Sequence, residues 1–151
     1  MPTIAKDTPL ADITLRKYEP PGTKGRELVR KFCLSLGLLQ PGDSRDVVVD
    51  VLHVLLRARG RLLSSKEIEE QVIENRKAHR QSLSGAAPSN IRRQLLRLRE
   101  VFIVEKRDNQ YGIRENQPLA ALLDEHLVRY HLKSILERLQ EYAKELDKAE
   151  L

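Results

Sequence analysis

The chain has 151 residues, 40% hydrophobic and 32% charged, which excludes a disordered polymer and leaves room for one folded domain plus appendages. Aromatics make up only 4% and Trp is absent, so the core is aliphatic, which favours helices over a β-sandwich. The net charge of +5 is unevenly spread: residues 76–114 carry 10 Lys/Arg against 3 Asp/Glu, residues 1–75 carry 12 against 11, and residues 115–151 carry 5 against 8.

One cysteine, Cys33, excludes an internal disulfide and a zinc constellation, and its apolar surroundings read as core. No apolar run approaches the ~20 residues of a membrane span. Lys6, Asp7 and Asp12 break up the N-terminus, unlike a secretory signal. The expectation is a soluble cytoplasmic protein, nucleoid-associated if the cell is prokaryotic.

Residues 1–23 hold Pro2, Pro9, Pro20 and Pro21 with no sustained period and read as a flexible or loosely docked arm. The spacing of Leu28, Phe32 and Leu36 predicts a first helix over 24–39, ended by Gln40-Pro41-Gly42. Asp43 or Ser44 is placed to cap a second helix reaching residue 59, with Val48, Val51, Leu52, Leu55 and Leu56 inward. Gly60 closes it, and Arg61-Leu62-Leu63 suits a short strand. Ser64 and Glu67 match a capping box, opening a third helix that carries Ile68, Val72 and Ile73 inward. Its end is open: either the helix extends to residue 80, or Arg76, Lys77, His79 and Arg80 form a basic loop.

Residues 82–88 break the pattern, and a fourth helix is predicted over 89–101. At 100° per residue, Ile91, Leu95, Leu98 and Phe102 form a core stripe, Ser89, Asn90, Arg93 and Arg97 lie opposite, and Arg92 and Arg99 sit on a flank. Arginine pairs bidentately with guanine, Asn with adenine, and Ser or a helix N-terminus with phosphate. Strands at 103–106 and 111–114 then flank a turn at 107–110.

Leu62 to Ile68, Ser89 to Leu98 and Ile103 to Ile113 together resemble the winged helix-turn-helix superfamily over roughly residues 43–114. The resemblance implies a mainly α fold with a small β-hairpin, residues 89–101 as recognition helix and the hairpin as wing. Lys106, Arg107 and Asn109 would then touch backbone or minor groove, with Arg92, Arg99, Arg76, Lys77 and Arg80 gripping phosphate. The domain would span 24–114, extra first helix included.

A last helix is predicted over 119–149, where Val128, Leu132, Ile135, Leu139, Tyr142 and Leu146 follow the three-four spacing of a coiled-coil seam for a homodimer. Two-fold symmetry would then space two half-sites about a helical turn apart. His53, His79, His126 and His131 are scattered, and no Gly-rich phosphate loop, paired-Cys motif or nucleophile elbow occurs, so neither an enzyme nor a cofactor is expected. The reading is a dimeric protein binding double-stranded DNA, a transcriptional regulator. The alternative is a winged-helix adaptor docking another protein in replication, repair or chromosome-segregation machinery. RNA is disfavoured because Tyr111 alone is available in the basic region to stack on a base.

Overall fold

The structure is a computed structural model that describes residues 7–151; the first six residues of the expected arm lie outside the described residues. At its centre is α2 (Val47–Arg57), which buries Val47, Val48, Val49, Val51, Leu52, Val54 and Leu55. Burial around nearly its whole circumference overrides the strand propensity of the valine run. Against it pack α1 (Gly25–Ser35), α3 (Ser65–Ala78), α4 (Pro88–Glu100) and a three-stranded antiparallel sheet. The sheet runs in the order β1-β3-β2, with β1 at Leu63–Ser64, β2 at Val104–Arg107 and β3 at Gln110–Ile113. Leu63 pairs with Tyr111, and Val104 with Ile113. The molecule is therefore mainly helical with a small sheet.

Helices α1 and α2 differ from their expected form. In α1 the buried residues are Arg26, Val29, Cys33 and Leu34, while Leu28 is exposed. The inward face is turned because Arg26, which looks like a surface residue, is drawn to carboxylates on α2. α1 stops at Ser35, and Gly37 follows at φ +75°, where an added Cβ would meet the Thr14 carbonyl oxygen at 2.6 Å. Neither Asp43 nor Ser44 caps α2. Asp43 Oδ1 accepts from the Arg45 N–H at 2.9 Å, and α2 begins after Asp46, whose carboxylate faces buried arginines.

The capping box on α3 forms: the Glu67 N–H donates to Ser64 Oγ (3.2 Å) and the Ser64 N–H donates to Glu67 Oε1 (3.1 Å). α3 takes the longer of its two expected courses and ends in a turn with Arg80 at φ +55°, the Gln81 N–H reaching back to the Arg76 carbonyl at 2.8 Å. In α4, Ile91, Leu95 and Leu98 are fully buried, but Phe102 does not complete the stripe. It sits beyond the helix at φ +65°, in the left-handed closing turn that usually takes glycine, with the Ile103 N–H donating to the Leu98 carbonyl at 3.1 Å. The hairpin turns on Asp108 (φ +50°) and Asn109 (φ +61°), a two-residue type I′ loop.

The last helix is three windings in one continuous rod. α5 (Leu119–Leu122) passes into a wider, i→i+5 stretch (Leu123–Leu132) and then α6 (Lys133–Lys148). Leu122 is buried, and Leu119, Leu123 and Leu127 pack on the core; nothing from Lys133 onward is buried. Val128 lies inside the wider stretch and is exposed.

The arm is tied down where it is described. Arg16 Nη1 donates to the Leu34 (2.8 Å) and Leu39 (3.2 Å) carbonyls, and Lys31 Nζ meets Glu19 at 2.6 Å. Lys31 also lies over the Tyr18 ring, and His131 Nε2 is 3.0 Å from the Asp12 carbonyl. Among the described residues, no helix is long and apolar enough to cross a membrane.

Candidate nucleic-acid interface

The position of α4 rests on a buried ionic cluster. Arg26 on α1 binds Asp50 through Nε (2.9 Å) and Nη2 (3.0 Å), and its Nη2 also meets Asp46 at 3.0 Å. Arg76 on α3 binds Asp46 (3.0 Å) and Asp50 (2.7 Å) through Nη1, and its Nε donates to the Ser82 carbonyl. Asn75 Nδ2 donates to Asp50 Oδ1 at 2.9 Å. Burial alone would push the Asp50 carboxyl up, but the bonds from Arg26 and Arg76 outweigh it and hold the group below the usual carboxylate range. Three helices and the α3–α4 loop are thus joined by one set of charges, and that loop delivers the chain to Pro88.

This overturns one expected contact. Arg76 is fully buried with its charge spent on two carboxylates, so it cannot reach a phosphate. Lys77 and Arg80 remain exposed at the end of α3.

On α4 the outward set differs from the expected one by a fraction of a turn. Ser89, Arg92, Arg93 and Arg99 are exposed, with Leu96 among them at 48%. Arg92 Nη1 stands 3.6 Å from Glu69 on α3, a loose surface pair. Asn90 and Arg97 are half-buried and occupied. Asn90 Nδ2 donates to the Gly85 carbonyl (2.6 Å) and its Oδ1 accepts from Gln94 (3.1 Å). Arg97 donates to Gln94 Oε1 (2.8 Å) and to the Leu38 carbonyl (2.8 Å), holding the α1–α2 loop. These two side chains position α4 and are not free to read a base as they stand.

Lys106, Arg107 and Asn109 are exposed at the hairpin end, Lys106 lying over the Tyr111 ring. The cations do not converge on one cleft. Arg93 shares a cleft of about 460 Å³ with Arg45, Asn90 and Arg97, while Arg107 shares one of about 420 Å³ with Arg61, Glu105 and Glu115. Arg45, in the α1–α2 loop, was not legible as a site residue, since nothing in its local sequence places it beside α4. Cys33 is buried, which pushes its thiol up to about 12 and leaves it inert. Among the described residues, no group of three His, Cys, Asp or Glu side chains could hold a metal ion.

No protein-family model matches this chain, and no curated protein or solved structure matches it at a significant level.

Proposed function

We propose that this protein binds double-stranded DNA through the outward face of α4, as a winged helix-turn-helix, and acts as a dimeric transcriptional regulator. The observation that carries the reading is an unspent row of cations on a rigidly seated helix. Among the described residues no carboxylate lies within 4 Å of Arg93 or Arg99 and Arg92 has only a loose partner, while three fully buried aliphatic side chains anchor the opposite side. An arginine free of acids keeps its fork for phosphate or guanine. The element order supports the same reading: a helix, a short strand, two helices, then a hairpin packed beside the last of them. Lys106 and Arg107 add charge at the wing, and Lys77 and Arg80 at the end of α3. The exposed seam of α6 supplies the dimer contact.

Leu96 favours a second reading. An exposed leucine at the centre of the outward face suits a thymine methyl, but it also suits an apolar pocket on a protein partner, as an adaptor would need. Salt separates the two. Titration with mixed-sequence duplex at about 50 and about 200 mM salt should give binding that falls steeply if phosphates are neutralised. No binding at the lower salt would remove the DNA reading and leave the adaptor.

A further inference from the structure

Resting on the reading of α6 as a homodimer seam, we propose that two copies join through α6 in antiparallel sense, each Arg138 facing the partner's Glu145. Leu132, Ile135, Leu139, Tyr142 and Leu146 line the seam, and the last three are 59–67% exposed, so their own domain does not cover them. What selects the orientation is the pair of residues on each flank.

One flank carries Arg138 and Glu145; the other carries Leu136 and Ala143. In a parallel pair each flank meets the opposite flank of the partner. Arg138 would then face Ala143, and Glu145 would face no helical residue, since α6 ends at Lys148, so one charge is matched to a methyl and the other to nothing. In an antiparallel pair each flank meets itself. Arg138 faces the partner's Glu145, and Leu136 faces the partner's Ala143, both twice by symmetry. The seam layers become Ile135 on the partner's Leu146 and Leu139 on the partner's Tyr142. Only this orientation matches charge with charge and apolar surface with apolar surface.

The free chain is compatible with that exchange. Arg138 Nε now bonds Glu141 at 2.5 Å on the exposed surface of its own helix, a contact it can leave at small cost. Ile135 borders a cleft of about 550 Å³ between α6 and residues 7–11, where the partner's Leu146 would enter. The two-fold axis falls between residues 140 and 141. With a rise of 1.5 Å per residue, the two Leu127 positions, where the rods leave their domains, stand roughly 40 Å apart. The two α4 faces would thus sit at opposite ends of the coil and not side by side.

Two measurements on the full chain separate this from the dimer reading beneath it. Sedimentation should give twice the chain mass, with Leu139→Glu returning it to one; a monomer at the highest soluble concentration overturns dimer and orientation together. Then Ile135→Cys and Leu146→Cys are oxidised singly and mixed, Cys33 staying in place because it is buried. Abundant cross-linked dimer in the mixture and little from either alone is expected. Cross-linking of each variant with itself, or of neither, while the mass stays at two chains overturns the antiparallel arrangement alone. As a check, Arg138→Glu should weaken the dimer about tenfold, since two surface pairs turn repulsive, and adding Glu145→Arg should restore it. No restoration counts against the proposal.

Discussion

Two groups of arginines show how little the residue type decides. Arg26 and Arg76 lie in the interior, each shared between Asp46 and Asp50, and hold α1, α2 and α3 together. Arg92, Arg93 and Arg99 stand on the outside of α4, in contact with at most one carboxylate. The first group is committed to the fold and unavailable to any partner. The second contributes little to the fold and is open to one. Pairing in space, not density along the chain, separates charge spent inside the fold from charge left open at its surface.

The largest expected effect lies inside. Asp50→Ala takes one of two carboxylates from each of two buried guanidinium groups, leaving both to Asp46, and should cost about 3–5 kcal/mol in urea denaturation, against less than about 0.5 kcal/mol for Arg93→Ala. Equal values for the two would erase the distinction. Arg97→Ala should fall between them, at about 1–2 kcal/mol, because it leaves the half-buried Leu38 carbonyl without its donor. A neutral result would return Arg97 to the outward set.

Acid should weaken the fold in two steps. Asp50 is held below the ~3.9 of an unfolded aspartate, so its stabilisation is full above about pH 4 and is lost as pH falls through the lower folded value. His53 is also lowered, by burial and by Arg57, so the unfolded chain takes up that proton first and stability slips as pH falls below about 6.5. Denaturation midpoints between pH 7 and 3 check both, and a midpoint rising in acid would contradict them. Lys106→Ala with Arg107→Ala should have the smallest effect: unchanged stability, and duplex binding weakened to a similar degree on every sequence. A loss confined to one sequence would make the hairpin a base reader.

Features set by neighbours along the chain were readable from the sequence. The Ser64–Glu67 capping box, the Asp108-Asn109 turn and the stripe of Ile91, Leu95 and Leu98 each depend on residues a few positions apart. Features set by distant partners were not. Arg76 meets carboxylates 26 and 30 residues away, and those same carboxylates rotate α1 by burying Arg26. Asn90 and Arg97 looked outward because the Gly85 and Leu38 carbonyls that claim them are backbone atoms, which no side-chain pattern discloses. The wide turn at Leu123–Leu132 was not legible either: its residues are all compatible with an ordinary helix.

The most direct test compares wild type with Arg92→Ala/Arg93→Ala on mixed-sequence duplex across a range of salt. The double variant should fold as stably as wild type and bind about tenfold or more weakly. Its slope of log K against log salt should be shallower by about 0.9 for each phosphate contact removed. A variant that binds with unchanged affinity and slope would show that the outward face of α4 is not where DNA is held.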